Sequence, residues 1–353
     1  YDIGTVWRLA ILIASILLAW MSKRFVEDPF RTSSVFARKP AWVTLTATAG
    51  AMVLILGITL PPTFAVDNSR ESVGSELADL ALAPPACFGA LAAFPGADCP
   101  DSHTLAFPDV LLLSNTAQGP AVPPLEEVCS EPADTPLVRE CVFGPAQADA
   151  TVTVAVVGDS HALHYVAAMR KLAFEHGWRV KMVTKPGCPP IIDPAVLPLW
   201  APESVSECGS WAEQAVQHVA ADKEVDAVVF SSISREYGFA DGTPPETQDI
   251  SASYVATWQP WVDAGKQVLV IADTVFLQRG DILACLARAN GAPDACSAEA
   301  SVVLAKPDPM VVAAKMLPAN QVGVFDPNSY ICTADGICHA VVGGIPVFVD
   351  HNH

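Results

Sequence analysis

Basic residues are scarce in this chain of 353 residues, which has 20 Lys and Arg against 38 Asp and Glu. The formal net charge of -18 would repel phosphate, and no stretch interleaves Lys and Arg with aromatic residues. The chain also has no Gly-x-Gly-x-x-Gly motif and no Gly-Lys-Ser/Thr loop, which are the usual phosphate-binding patterns. We therefore expect no nucleic acid as a partner and no cofactor in this chain.

Charge of either sign is low as well, because only 16% of the residues are charged and 51% are hydrophobic. Residues 41–64 contain no charge and exceed the roughly 20 apolar residues that a bilayer requires. Residues 9–21 reach that length only if Trp7 and Arg8 are counted, so a buried helix is the alternative there. The sequence predicts two transmembrane helices and thus the lipid bilayer as a partner.

The residues between the two apolar segments give them an orientation. Five of the six basic residues in the first 65 positions lie there, namely Lys23, Arg24, Arg31, Arg38 and Lys39. Because positively charged loops stay in the cytoplasm, everything after the second segment should lie outside. Residues 66–353 are therefore predicted to be extracytoplasmic.

All ten cysteines lie in that predicted extracytoplasmic part. An even number in an oxidising compartment indicates disulfides, although the sequence does not fix their connectivity. Pairing neighbours gives the short loops 87/99, 129/141, 188/208, 285/296 and 332/338. Since the chain has no Cys-x-x-Cys motif, a structural zinc site is the weaker interpretation.

The pattern of the chain changes near residue 151. Residues 66–150 are rich in Pro, Ala and small polar residues, which is typical of a linker, here one pinned by disulfides. Short β-branched runs then alternate with helical spacing, at residues 151–157, 179–183, 225–230, 267–271, 322–325 and 346–349. Alternating strands and helices predict a doubly wound, flavodoxin-like α/β fold with a parallel sheet, which binds ligands at the carboxyl ends of its strands.

The first predicted strand ends in Gly158-Asp159-Ser160-His161. A serine on a turn from a buried strand into a helix projects from the sheet edge, and its own N–H can donate to a developing oxyanion. The same residues also fit an ordinary helix N-cap. The motif alone therefore does not establish a catalytic serine.

The last predicted strand is followed by Asp350-His351-Asn352-His353. A serine hydroxyl needs a base to become a nucleophile, and the base needs a partner that holds its tautomer. The Asp-x-x-His spacing and strand alternation favour His353 over His351 as that base. The sequence predicts a triad of Ser160, His353 and Asp350, the alternatives for the tail being a solvated polar end or an adventitious metal site.

Together, Gly158-Asp159-Ser160-His161 and Asp350-x-x-His353 resemble the SGNH hydrolase superfamily. Residues 17–20 and 24–31 resemble the final helix of a membrane acyltransferase 3 domain. The combination is similar to bacterial acyltransferase 3–SGNH fusion proteins and covers essentially the whole chain, including residues 332–338. The resemblance implies a chain truncated at both ends.

The same resemblance implies an organisation along the chain. Residues 1–25 would end the acyltransferase 3 domain, 26–40 form a cytoplasmic loop, 41–65 a transmembrane helix, 66–150 the linker and 151–353 the SGNH domain. The protein would be a multi-pass protein of the bacterial inner membrane.

The implied activity is O-acylation, usually O-acetylation, of a cell-envelope polysaccharide, peptidoglycan or glycolipid. The missing membrane domain would use a cytoplasmic donor such as acetyl-CoA, and Ser160 would pass the acyl group to a sugar hydroxyl. The N–H groups of Ser160 and Gly187 would hold the oxyanion. A membrane-tethered carbohydrate O-acetyl esterase and a non-catalytic envelope-binding domain are the alternatives.

One segment departs from the family pattern, which has an oxyanion-binding Asn after the third strand. Here the chain reads Ser231-Ser232-Ile233-Ser234-Arg235. The hydroxyl of Ser232 or Ser234 would then substitute, unless these serines only bond their own backbone. Arg235, Trp258 and Trp261 would line a sugar site, although tryptophans at positions i and i+3 of a helix also suit a core.

Overall fold

The computed structural model describes residues 5–24, 83–94, 96–99, 102–106, 137–200, 206–239, 248–289 and 292–353, with isolated positions between 28 and 80. They belong to two units, Tyr1–Ser69 and Arg70–His353. In the first unit, helix α1 (Thr5–Ser22) covers the first predicted membrane segment. No helix among the described residues is long and apolar enough to cross a membrane. Most of residues 41–64 lie outside the described residues, so the two transmembrane helices stay a prediction.

The second unit alternates strands with helices, as predicted. Its strands are β1 (Cys141–Phe143), β2 (Val152–Gly158), β3 (Trp178–Thr184), β4 (Val196–Pro198), β5 (Ala227–Ser231), β6 (Tyr237–Phe239), β7 (Gln267–Ile271), β8 (Ala298–Glu299), β9 (Val322–Phe325), β10 (Ile337–Cys338), β11 (Val341–Val342) and β12 (Ile345–Pro346). Its helices are α2 (Ser160–Leu163), α3 (Val166–His176), α4 (Ser206–Ala221), α5 (Ser251–Asp263), α6 (Ile282–Arg288), α7 (Ala300–Val303), α8 (Pro309–Ala314) and α9 (Asn328–Ile331).

The central sheet has six strands in the order β1-β3-β2-β5-β7-β9. All neighbours pair in parallel except β1, which pairs antiparallel with β3 at the edge. Counted along the chain, the five parallel strands have the order 2-1-3-4-5 of flavodoxin-like sheets. The switch in winding direction therefore lies next to β2, the strand that leads into Ser160.

The prediction of a sixth parallel strand at residues 346–349 is wrong. Gly343 and Gly344 both have positive φ and turn the chain back, so that β12 pairs only with β11 in a small hairpin. The sixth strand of the sheet is instead β1, which lies in the region predicted as a linker. The linker boundary at residue 150 is therefore too late for the sheet.

The central strands β2, β3 and β5 are buried on both faces. Ala155 and Val157 of β2 belong to the core cluster on one face, and Val154 and Val156 to the cluster on the other. This is the burial expected for continuous β-branched runs in a parallel sheet. In these central strands, only the ends and the loops that follow them are available for a site.

The two tryptophans proposed for a sugar site lie in this core. Trp258 and Trp261 on α5 are both fully buried, and the ring centroid of Trp258 lies 5.3 Å from that of Phe230 on β5. The Nε1 atom of Trp261 donates to the carbonyl of Val216 at 3.0 Å. The sugar-site interpretation of these tryptophans is therefore wrong.

Disulfides join cysteines that are neighbours in the chain. The pairings 87/99, 188/208, 285/296 and 332/338 are confirmed. Cys141 is also disulfide-bonded, whereas Cys129, its predicted partner, lies outside the described residues. Most of these links fasten loops beside the sheet, where the backbone has few ladder hydrogen bonds of its own.

Candidate active site

The turn after β2 holds the candidate nucleophile. Asp159 has extended backbone and caps α2, its Oδ1 accepting the N–H of His161 at 2.8 Å. Ser160 is the first residue of α2 and is half-buried at the carboxyl edge of the sheet. The two interpretations of the motif therefore both hold: Asp159 is the helix N-cap, and Ser160 is the serine at the sheet edge.

The structure brings the three predicted triad residues together. The Nε2 atom of His353 lies 3.0 Å from Oγ of Ser160, and its Nδ1 lies 2.7 Å from Oδ2 of Asp350. His351 is exposed, and its Nδ1 is 3.9 Å from Oδ1 of Asp350. The geometry therefore favours His353 over His351 as the base, and it has the distances required for proton transfer from the serine.

Backbone hydrogen bonds fix the short tail that carries the base. Oδ1 of Asp350 accepts the N–H groups of Asn352 and His353 at 2.8 and 2.6 Å. The N–H of Val349 donates to the carbonyl of His353 at 2.7 Å, and that of Ile282 to the carbonyl of Asp350 at 3.0 Å. The tail is thus a folded loop held against α6.

The charge on Asp350 suits the same role. Partial burial opposes ionisation, but the hydrogen bonds from the His353 ring and from two backbone N–H groups hold the pKa of Asp350 well below its usual value. An ionised carboxylate at 2.7 Å keeps the proton of neutral His353 on Nδ1. Nε2 then faces Ser160 with its lone pair, as a base requires.

Gly187 lies on the turn that follows β3. It is exposed with φ +73°, and a Cβ placed on it would contact nothing within 4 Å. Within the described part of the chain, its N–H makes no hydrogen bond. The N–H of Lys185 donates to the carbonyl of Gly158 at 3.0 Å, which ties this turn to the Ser160 motif. Gly187 thus offers an unused donor on a loop joined to the site.

Ser232 and Ser234 lie behind the motif. The buried Ser232 hydroxyl donates to Oδ2 of Asp159 at 2.9 Å, and the Ser234 hydroxyl donates to Oδ1 of Asp308 at 2.8 Å. Oδ2 of Asp159 also accepts the hydroxyl of Tyr237 at 2.7 Å. Because each serine has one hydroxyl hydrogen, these bonds leave none for an oxyanion. The hydroxyls support buried carboxylates instead of replacing the family's Asn.

Burial and hydrogen bonds shift the pKa of Asp159 in opposite directions. Burial raises the pKa of Asp159, while His161 and the hydrogen bonds from Tyr237 and two backbone N–H groups lower it in part. Asp159 therefore anchors the turn through hydrogen bonds, and its carboxylate is closed to solvent.

A second His–Asp pair lies next to the serine, and the sequence analysis did not identify it. Nδ1 of the buried His161 is 2.9 Å from Oδ1 of Asp273, which follows β7. Asp273 also accepts the N–H of Arg235 at 3.1 Å and donates its own N–H to Asp308 at 2.7 Å. A polar residue just after the predicted strand 267–271 was the available signal, since strand ends meet at the site edge.

Buried charges shift the pKa values of groups in and around this second pair. Burial lowers the pKa of His161, but the hydrogen bond and the charge of Asp273 outweigh this effect and raise it. Burial and the nearby Asp273 carboxylate raise the pKa of Asp308 to about 6. Crowding by the surrounding protein, with added repulsion from His161 and His353, lowers the pKa of His164 to about 3, although part of its side chain stays exposed. His161 and His164 therefore differ in their affinity for protons.

A comparison with protein families assigns the chain to one of them. No curated protein matches the chain. Residues 128–353 match the family described as the SGNH domain fused to AT3 domains, a family of hydrolases and acyltransferases. The match includes β1 and every residue of the candidate triad. Because it covers more than half of the chain, the chain belongs to the family of SGNH domains that are fused to AT3 domains.

Proposed function

We propose that this chain is part of an O-acyltransferase that modifies a cell-envelope polysaccharide, peptidoglycan or glycolipid, with acetyl as the transferred group. The observation that carries the proposal is the hydrogen-bonded series from Ser160 Oγ through His353 to Asp350, with distances of 3.0 and 2.7 Å. Such a series activates a serine for acyl transfer on several unrelated folds.

The reaction has two steps. Oγ of Ser160 attacks the acyl carbonyl as Nε2 of His353 takes its proton, and the carrier leaves with that proton to give an acyl-Ser160 ester. A sugar hydroxyl then attacks this ester while His353 removes the hydroxyl proton, and the returning proton restores Ser160. Asp350 stabilises the imidazolium in both steps, and the N–H groups of Ser160 and Gly187 are the proposed oxyanion donors.

The acyl group would come from the membrane side. Residues 17–31 resemble the final helix of an acyltransferase 3 domain, and the described side chains of α1 are exposed, including Leu12, Ile13 and Ile16. We assign residues 1–25 to the end of that membrane domain and residues 66–353 to the extracytoplasmic side of a bacterial inner membrane. The donor, a thioester such as acetyl-CoA, would be used by the membrane domain.

Hydrolysis is the second candidate function. The side chains of His353 and Asp350 are 34% and 36% exposed, so water reaches the base. With water as acceptor, the same triad would remove acetyl groups and the chain would be a membrane-tethered carbohydrate O-acetyl esterase. An envelope-binding domain without catalysis is the third alternative.

One experiment separates the three. The O-acyl content of envelope glycans is measured in cells with the intact full-length protein or with Ser160→Ala, expressed equally. His351→Gln serves as the control, because His351 is the exposed neighbour of the base. A lower content in Ser160→Ala supports the transferase, a higher content supports the esterase, and an unchanged content supports the binding domain.

A further inference from the structure

Three imidazoles lie close together at the candidate active site. His161 lies on α2, His164 is the C-cap residue of α2, and His353 comes from the tail. Their ring centroids are 4.7 Å apart for His161 and His164, 5.2 Å for His164 and His353, and 5.5 Å for His161 and His353. One ring nitrogen of each lies within 4.8 Å of the others. The triad mechanism uses only one of these rings.

In two of the three rings, the Nδ1 atom lies next to a carboxylate. Nδ1 of His161 lies 2.9 Å from a carboxylate oxygen of Asp273, and Nδ1 of His353 lies 2.7 Å from one of Asp350. A carboxylate on one nitrogen is the usual outer support of a metal-binding histidine, and it leaves the other nitrogen for the ion. In both rings Nε2 is therefore the atom available for a ligand.

The Nε2 atom of His161 has no partner among the described residues. It is buried, and the residue as a whole is only 2% exposed. A buried ring nitrogen without a hydrogen bond is unfavourable unless it has a further partner. The neighbouring His164 is exposed, and an ion in solution can reach the buried Nε2 atom of His161 from that side.

Imidazole nitrogens favour ions of the zinc class over Mg²⁺ or Ca²⁺, which prefer oxygen. A zinc ion binds nitrogen at about 2.0–2.1 Å, so the three nitrogens must approach one another. His164 is exposed and His353 is partly exposed, so these two rings have the freedom to close on His161. A fourth position would remain for water.

We propose that His161, His164 and His353 bind a Zn²⁺ ion reversibly and that the bound ion inhibits acyl transfer by Ser160. The ion and the serine compete for one atom, because Nε2 of His353 is the group 3.0 Å from Ser160 Oγ. A lone pair shared with Zn²⁺ cannot accept the serine proton. The inhibition rests on the proposed function, whereas the binding does not.

Binding is tested with the full chain, purified in detergent without a polyhistidine tag and stripped of metal by a chelator. Co²⁺ is titrated and its visible absorption recorded, since tetrahedral nitrogen ligation gives an intense band; Zn²⁺ is then added to displace it. We expect one equivalent bound and at least a tenfold weaker affinity in His164→Gln. His176→Gln, an exposed histidine at the end of α3, is the matched control and should bind as the wild type does.

Inhibition is tested on the same proteins with a chromogenic acetate ester. His164→Gln should keep its basal activity, because His164 is outside the triad, and should need at least tenfold more Zn²⁺ for half inhibition. If the wild type binds no Co²⁺, or His164→Gln binds it equally well, the site does not exist. If Co²⁺ binds but Zn²⁺ leaves activity unchanged or raises it, the inhibitory role is overturned. If Ser160→Ala has full activity while Co²⁺ still binds, the proposed function fails and the metal site stands.

Discussion

A Cβ atom on Gly158 would lie 1.9 Å from the carbonyl oxygen of Ser231, and 2.6 Å from Cβ of Ala162. The first contact is with backbone, which cannot rotate away. The glycine at the end of β2 therefore allows β5 and the start of α2 to approach so closely that Ser160 and its supporting residues share one edge of the sheet.

Gly158→Ala should be destabilising and inactive. The new methyl group has to push β5 or α2 away, and overpacking of this kind costs about 3 kcal/mol. A displaced α2 also moves Ser160 relative to His353. Thermal unfolding and ester hydrolysis measure the two effects, and a variant with wild-type stability and activity would show that this close approach is dispensable.

Gly187→Ala tests the proposed oxyanion donor. At φ +73° alanine is strained, while its Cβ would meet nothing, so the change acts through the backbone alone. We expect a loss of about 1 kcal/mol in the free energy of unfolding and at least a tenfold loss of acyl-transfer rate, because the N–H is redirected.

The matched control is Gly265→Ala, at the turn between α5 and β7. Gly265 has φ +78° and equally open space around its Cβ position, but it precedes β7 and so lies at the opposite edge of the sheet. It should lose similar stability and keep its rate. Equal rates in the two variants would argue against Gly187 as a donor.

Ser232→Ala distinguishes support of Asp159 from binding of an oxyanion. The variant removes one of the hydrogen bonds to a buried carboxylate, which costs about 1–3 kcal/mol of stability. The acyl-transfer rate measured below the unfolding temperature should stay within a few fold of the wild type, because the hydroxyl hydrogen points to Asp159. A rate loss of a hundredfold without a stability loss would restore Ser232 as an oxyanion donor.

The raised pKa of Asp308 predicts that the stability of the domain depends on pH. Its pKa rises on folding from 3.8 to about 6, so the folded state binds this proton more tightly than the unfolded state. The resulting stabilisation is complete below pH 4 and is lost as the pH rises through 6, a change of about 3 kcal/mol. The free energy of unfolding is measured from pH 4 to 8 for the wild type and for Asp308→Asn. The difference between the two proteins should change by about 3 kcal/mol over this range. A constant difference would show that Asp308 titrates normally.

The parts of the fold that follow from local pattern were predictable. Residues 267–271 and 322–325 are short apolar runs that contain β-branched residues, and both form strands at those positions. Strand β1 was missed because it has three residues and depends on pairing with β3, far along the chain. Residues 346–349 have the composition of a strand, but only Pro346 lies in one, the second strand of the hairpin that turns at Gly343 and Gly344.

The candidate site divides in the same way. Ser160, Asp350 and His353 belong to two short motifs, so their residue types and spacing were enough to name them. The direction of the Ser232 hydroxyl and the pairing of His161 with Asp273 depend on side-chain packing between distant loops. Such contacts have no periodicity, and the sequence alone offered only the polar residues that follow each strand.

The separation of 193 residues between Ser160 and His353 has a consequence for biosynthesis. The ribosome completes the nucleophile first, and the base can dock only after the tail has emerged and bonded to α6 through the N–H of Ile282. An unfinished chain therefore carries an inert serine. The proposed acyl transfer by Ser160 therefore becomes possible only after residues 350–353 have been synthesised and have folded beside α2.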